Sequence, residues 1–524
     1  MPSASRACGL ALALACTTLP AARAQSAPKP TLVVLITIDQ FRDDYLTRFK
    51  SQLTGGLGRL ARGGAWYTNA HHDHALTETA PGHATVLSGR FPRSTGITAN
   101  RVGVEDESSP LIGGAVGLGA SPRRFQGTEL ADWLKTADPR SRAFSVSTKD
   151  RAAILPIGRS RSEVYWYDIT GLFTTSRYYR DALPAWVTAF NDRHVPQQYT
   201  GRTWSLLLPD SAYHEADSVA FEGNGTLFTF PHTLPDDPET SPSIMRGTPF
   251  IDEVTLAFAL HGLNSLALGA GPQTDLVSIS LSATDFIGHR YGPDSREIHD
   301  DVVRLDRSVG MFLDSLYRLR DSSHVVIALT GDHGAGTMPE LAPASMQPRP
   351  TRVTLLPVIK AMHEQLRHAN VDTLAVDFDQ QIIGVDRAAF EKAHVNADST
   401  LRALATVIRA IPGVARVDRF RDLLADTAAD PIARRWSHQL PASSGAELVV
   451  TLTPLSLWGT LTSSHGSPYD YDSNVPIIFY GAGIKPGVHG EFVRTVDLAP
   501  TLAAVAGVKP TERLDGVILR SALP

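Results

Sequence analysis

Apolar, β-rich runs recur in this chain, and several of them stop at a residue that carries acid or base chemistry. Pro30–Gln40 (PTLVVLITIDQ) reads as a fully buried strand closing on Asp39. RAFSVST precedes Lys149, DLVSISLSATD ends at Asp285, HVVIALTGDHG reaches Asp332 and His333, and VPIIFYGAG follows further on. Helical patterns lie between these runs. TELADWLKT has Thr128 as its cap, and IDEVTLAFALHGLNSLAL covers 251–268. SREIHDDVVRLDRSVGMFLDSLYRLR is capped by Ser295, with Ile298, Val302, Leu305, Val309, Phe312, Leu316 and Leu319 on one face. Strands alternating with helices predict an α/β fold with a mostly parallel central sheet flanked by helices. Ligands in such folds bind beyond the carboxyl ends of the strands, where these polar residues fall.

Two stretches break the alternation. Residues 160–247 are rich in aromatics, Pro and polar residues with little periodicity, as in a lid or cap. Residues 352–458 carry their own helical (DRAAFEKAHV, TLRALATVIRAI) and strand (ARVDRF, AELVVTLT) patterns, an α+β insertion. The α/β core is therefore expected in three parts, 25–159, 248–351 and 459–524.

The first residues read as an export signal spanning 1–24: Arg6, an apolar run too short to cross a bilayer permanently, then Ala22 and Ala24 at an A-x-A-like cleavage site. Both cysteines, Cys8 and Cys16, fall in that segment, so a mature metal site has to use His, carboxylate and hydroxyl groups. Cys16 as a lipid-anchor position is the weaker alternative, since Ala13 is an indifferent match three residues before it. The expected location is the periplasm or outside the cell, with no transmembrane segment after cleavage. A formal net charge of −5 and the lack of a long basic run argue against a nucleic-acid partner.

The chemistry concentrates in a few short motifs. In ALTETAPGHATVLSGRFP, Pro81 suits the first position of a helix stopping near Gly89, which puts Thr79 by the positive N-terminal end. By itself Thr79 reads as a helix cap. In ATDFIGHRYGP, Asp285 and His289 are four apart and share one face of a helix. Asp332 and His333 sit between glycines at a strand end, and His465 lies on the loop SSHGSPYDYD. Singly these are weak signals. Together, Asp39, Asp285, Asp332, His289, His333 and His465 provide three carboxylates and three imidazoles, enough for two divalent ions without a thiolate. A metal pair about 4 Å apart clamps the two oxygens of an in-line displacement and gives the Thr79 hydroxyl a route to nucleophilicity. Lys149 and Arg151, two apart after a strand, point to one side if that segment stays extended, and suit a dianionic phosphate monoester. His71, His72, His74 and His83 exceed the needs of two metal sites and read as structural or orienting.

In this order the motifs resemble the alkaline phosphatase superfamily. Within it they are most similar to bacterial zinc-dependent alkaline phosphatases with a threonine nucleophile (the phosphate-irrepressible type) and to the related nucleotide pyrophosphatase/phosphodiesterases. The resemblance runs from Leu32 to about Leu519, including TVDLAPTLAAVAGVKPTERLDGVIL, and is weakest in the two insertions. It implies two Zn2+, with Asp39, Thr79, Asp332 and His333 around the first and Asp285, His289 and His465 around the second. It also implies Thr79 as nucleophile, a phosphothreonine intermediate, and phosphate contacts from Asn100, Lys149 and Arg151. The expected substrates are small phosphate monoesters. A phosphodiesterase or nucleotide pyrophosphatase of the same superfamily is the alternative, and an exported metal-binding protein without turnover is a more distant one. A sulfatase is disfavoured, because no C/S-x-P-x-R context surrounds Thr79.

Overall fold

The computed structural model describes residues 29–226, 228–379, 381–424 and 430–524, so the expected signal segment and both cysteines lie outside the described residues. A nine-stranded mixed sheet forms the centre. Its strands in chain order are β1 (Leu32–Ile38), β2 (Ala65–Tyr67), β3 (Ala143–Ser147), β4 (Glu163–Tyr167), β5 (Phe173–Thr174), β6 (Asp275–Leu281), β7 (Val325–Gly331), β8 (Ile477–Gly481) and β9 (Gly487–His489). The spatial order is β9-β2-β8-β7-β1-β6-β3-β4-β5. The inner run β7-β1-β6-β3-β4 is parallel, while β8 lies antiparallel to both its neighbours and β5 antiparallel to β4.

Strand β1 is buried along its whole length because both faces of the sheet are covered. Val34, Ile36 and Ile38 pack into one apolar cluster with the long helix Arg296–Leu319, whereas Val33 and Leu35 pack into the cluster on the other face. The alternation follows from the two-residue period of a strand. On Arg296–Leu319 the expected apolar face is buried except for Leu319, which is 39% exposed where the helix runs out. The Ser295 side chain accepts a hydrogen bond from Ile298 N, as a cap does. The helix after Thr128 is capped instead by Glu129, and Thr128 Oγ1 accepts from the Trp133 indole at 2.9 Å.

Register brings the site together. Ile38, at the end of β1, pairs with Leu281 of β6 and Gly331 of β7. The residues that follow, Asp39, Ser282 and Asp332, therefore emerge side by side at one edge of the sheet.

Residues 376–452 contribute a separate antiparallel sheet of Val376–Asp379, Ile382–Val385, Ala446–Leu452 and Val414–Arg419, backed by Leu356–His368 and Ala397–Arg409 with their own apolar cluster. This unit reaches the core where Arg101 Nε meets Asp379 at 2.5 Å and Gln381 Nε2 donates to Gly466 O at 2.7 Å. Between β5 and residue 247 the described residues form mostly short turns of helix and one two-stranded antiparallel ladder, Thr203–Trp204 with His232–Thr233. It is tied down where Trp204 Nε1 donates to Asp300 Oδ2 at 2.6 Å. Among the described residues no helix is long and apolar enough to cross a membrane.

Candidate active site and metal centre

Three carboxylates converge at the carboxyl edge of the parallel strands. Asp39 follows β1, Asp332 follows β7, and Asp285 lies in the helix Ala283–Tyr291 that leaves β6; all three are essentially inaccessible to water. Burying three acids in one place is very costly unless positive charge accompanies them. Here that charge is Lys149. Its Nζ lies 2.6 Å from Asp39 Oδ2 and also contacts Asp285 Oδ2. The extended conformation expected after β3 does not form. Lys149 caps a short helix, Asp150–Ile154, and this turns its side chain inward between the two acids, while among the described residues the Arg151 guanidinium comes no nearer to a carboxylate than 3.8 Å, at Asp150. Arg151 Nε finds no acceptor among the described residues.

The imidazoles surround the acids. His289 sits one helical turn from Asp285, with Nε2 3.3 Å from Asp285 Oδ1. His465 Nε2 is 3.7 Å from the same oxygen, and the His333 ring stacks on the His465 ring at 3.6 Å between centroids. His333 Nε2 lies 3.5 Å from Asp39 Oδ1. All three rings are held alike. Nδ1 of His289, His333 and His465 donates to the backbone carbonyl of Ser463, Gly334 and Thr77, at 2.9, 2.9 and 2.7 Å. A carbonyl can only accept, so in each neutral ring the lone pair is on Nε2, the atom aimed at the acids. Second-layer anchoring of this kind fixes the tautomer of a metal-binding histidine.

These residues fit divalent cations. Two sets, Asp285/His289/His465 and Asp39/Asp285/His333, each offer ligand atoms within 4.8 Å of one another. Asp39 Oδ1 and His333 Nε2 are buried and take no hydrogen bond among the described residues. A donor set of carboxylate and imidazole without thiolate suits zinc and tolerates other divalent ions. Asp332 stands just outside these sets, its Oδ2 3.6 Å from His333 Nε2.

Electrostatics follow from the packing. Burial, then the charges of Asp285 and Asp332, push the Asp39 carboxyl well above its usual range. Burial also opposes ionisation of Asp285, but Lys149 and His289 outweigh it and hold that carboxyl well below its usual range. Burial, then repulsion from His333 and His289, keeps His465 neutral, as a ligand has to be.

Thr79 opens the helix Thr79–Val86, two residues earlier than Pro81 at the first position would place it. Asn100 explains the early start, since its Oδ1 accepts from Ala80 N at 2.8 Å and satisfies one of the free N-terminal donors. The Asn100 backbone is itself fixed by Glu78 Oε2 at 2.6 Å. The helix is seated directly on Asp332: a Cβ added to Gly82 would lie 2.2 Å from the Asp332 carbonyl oxygen. The Thr79 hydroxyl makes no hydrogen bond among the described residues, and the Thr77 carbonyl just before it holds His465.

Two further residues do much of the positioning: His83, expected as structural or orienting, and Gln40, which the sequence does not single out. His83 Nδ1 is 2.9 Å from Thr79 O and 3.1 Å from Asp332 Oδ2, and Nε2 is 2.9 Å from Ser280 Oγ. Gln40, in the left-handed region with φ 60°, donates from its main chain to Asp332 Oδ1 at 3.0 Å and from Nε2 to Asp285 Oδ1 at 2.9 Å. No sequence signal marks Gln40, since its neighbours in space come from two other strands. His71, His72 and His74 belong to neither ligand set; His72 Nε2 donates to Gly331 O at 2.9 Å and braces the strand end before Asp332.

Residues 33–349 match the family described as type I phosphodiesterase / nucleotide pyrophosphatase. The chain is 30% identical over 519 residues to alkaline phosphatase PafA of Elizabethkingia meningoseptica, covering 94% of each. It is likewise 30% identical over 522 residues to alkaline phosphatase PhoV of Synechococcus elongatus, covering 95% of this chain and 94% of that one. The crystal structure of PafA superposes with a TM-score of 0.88 at 28% identity, over 95% of this chain and all of the other. The fold is that of the alkaline phosphatases.

Proposed function

The chain belongs to the type I phosphodiesterase / nucleotide pyrophosphatase family, and on that ground we propose that it is a metal-dependent alkaline phosphatase acting on phosphate monoesters. The observation that carries this reading is the convergence of Asp39, Asp285, Asp332, His289, His333 and His465 beside the helix that Thr79 begins, with the three Nε2 lone pairs turned inward. The names of the PafA and PhoV relatives support it.

In this reading Asp39, Asp332, His333 and Thr79 would hold one zinc ion, and Asp285, His289 and His465 a second. When bound, such ions would supply Lewis acidity to the reacting oxygens, which would remove the need for a protonated general acid. The Thr79 hydroxyl oxygen, its proton released to solvent, would attack phosphorus as the opposite ester P–O bond breaks and the leaving alcohol departs with a proton from water. Water would then cleave the phosphothreonine to inorganic phosphate and restore the Thr79 hydroxyl. The Asn100 side-chain amide and the Arg151 fork stabilise the three non-bridging oxygens, whose charge peaks in the transition state. Lys149 has a double role. It lies between Asp39 and Asp285 and offsets the charge that Asp285 carries when no cation is bound, and it would turn to the phosphoryl oxygens once those acids are engaged. Residues 1–24 are proposed as the export signal of a periplasmic or secreted enzyme.

Thr79→Ala tests the nucleophile. It should retain bound zinc and lose nearly all turnover, and full activity in that variant rejects the assignment. The family description itself favours a second reading, a phosphodiesterase. Comparing an aryl monophosphate with its methyl diester decides between the two, and faster cleavage of the diester overturns the monoesterase proposal.

A further inference from the structure

A cavity of about 490 Å³ opens directly from the candidate reaction centre, sharing Lys149, Arg151, Asp285 and His289 with it. Beyond those residues its walls change character. Phe286, next in chain to Asp285, stands half-exposed, and Trp166 and Tyr167 at the end of β4 also line the space. The rim is apolar and exposed, with Val116 at 58%, Leu118 at 61% and Ile169 at 43%. This rim is held in shape. Asp168 Oδ2 accepts from Val116 N at 2.9 Å, while Oδ1 accepts from Thr170 N at 3.0 Å and Leu172 N at 3.1 Å.

Besides Lys149 and Arg151, one further cation among the described residues lines the cavity: Arg246, from the segment between β5 and the helix Phe250–Ser265. Its guanidinium lies 5.5 Å from the Phe286 ring centroid, and Nε donates to Ser243 O at 3.2 Å. It forms no ion pair among the described residues. Asp168 is engaged as above, Asp150 Oδ1 accepts from Arg151 N at 2.6 Å, and Glu105, which also lines the cavity, does not pair with Arg246. A half-buried guanidinium that keeps its fork free is a ready partner for a carboxylate or phosphate. The volume falls within the range of cavities that enclose a small organic group.

We propose that this cavity is the leaving-group subsite and that it selects phosphate monoesters whose leaving group has an apolar or aromatic body and a second anionic substituent. The body packs on Phe286 against the Val116/Leu118 rim, and the second anion pairs with Arg246. The proposal rests on the monoesterase reading above but adds a substrate class to it.

The test compares para-carboxymethylphenyl phosphate with its carbamoylmethyl counterpart, which has a similar shape and no second charge. The wild-type zinc enzyme should favour the carboxylate ester in kcat/KM by roughly tenfold, the scale of one hydrogen-bonded charge pair. Most of the difference should lie in KM. Arg246→Ala should bring the ratio close to one, and Arg246→Lys should keep part of it. A wild-type ratio near one, or a preference that survives Arg246→Ala, overturns the subsite. If neither ester is hydrolysed, the monoesterase reading fails. Calorimetric titration with the corresponding benzylphosphonates then still decides: tighter binding of the carboxylate form that vanishes in Arg246→Ala supports the subsite, and equal binding refutes it.

Discussion

Gln40 offers a sharp test of how the site is held, because its two contributions have separable magnitudes. It is fully buried, adopts φ 60°, and links Asp332 through its main chain to Asp285 through its side chain. It also fills its space closely, since a Cβ on Gly288 would fall 1.8 Å from Gln40 Oε1. Gln40→Ala and Gln40→Gly both keep the main-chain bond to Asp332 and both lose the amide bond to Asp285, worth about 1.5–3 kcal/mol for a hydrogen bond to a charged group. They differ in the backbone. A residue with a Cβ pays roughly 1–2 kcal/mol in the left-handed region, whereas glycine avoids that cost but loses about 0.5–1 kcal/mol to the entropy of its unfolded chain. Gln40→Gly should therefore be more stable than Gln40→Ala by about 0.5–1 kcal/mol, although both fall below wild type. Urea unfolding of the chelator-treated proteins measures the order. Competition with a chromophoric chelator should show roughly 10–100-fold weaker zinc binding in both variants, as for loss of other groups that orient metal ligands. Unfolding in which the alanine variant is the more stable, or zinc affinities equal to wild type, would refute the reasoning.

Lys149→Met should destabilise the metal-free protein by about 3–5 kcal/mol, since it leaves Asp39 and Asp285 facing each other without a cation. With zinc bound the loss should be much smaller; equal drops in Tm with and without chelator would count against the inward role of Lys149. His83→Phe keeps the ring but removes the contacts to Thr79, Asp332 and Ser280. It should lower kcat by roughly 10–100-fold, and an unchanged kcat means that His83 only fills space. Asp252 is pushed from 3.8 up to about 7 by burial, while its Oδ1 accepts from Ser282 N and Ala283 N at the start of the helix that carries Asp285. The folded state keeps this proton where the unfolded chain has lost it. The associated stability is thus complete below about pH 4 and fades as pH rises towards 7. Asp252→Asn should flatten the stability profile across that window, and a profile parallel to wild type would contradict the shift.

What the sequence makes legible here is the chemistry carried by local patterns. Asp39, Asp285 and Asp332 are readable because each closes or follows an apolar run, and His289 because a four-residue spacing from Asp285 needs nothing beyond one helical turn. The parallel core follows from the same alternation of runs. What escapes is decided by tertiary position. Lys149 points at two acids rather than outward because Asp150–Ile154 makes a single turn of helix, too short to announce itself. His83 can be read as an orienting residue but its partners cannot, while Gln40 acts through partners on other strands and Arg246 belongs to a stretch without periodicity, so neither of these two has a signature along the chain.

The stacked rings of His333 and His465 join the end of a central strand to a loop that follows the second insertion. The centre therefore cannot be assembled piecemeal as the chain emerges from the ribosome. Asp39, Asp285 and Asp332 all precede the second insertion, whereas His465 follows it, so the three acids and three imidazoles cannot meet until residue 465 has been synthesised.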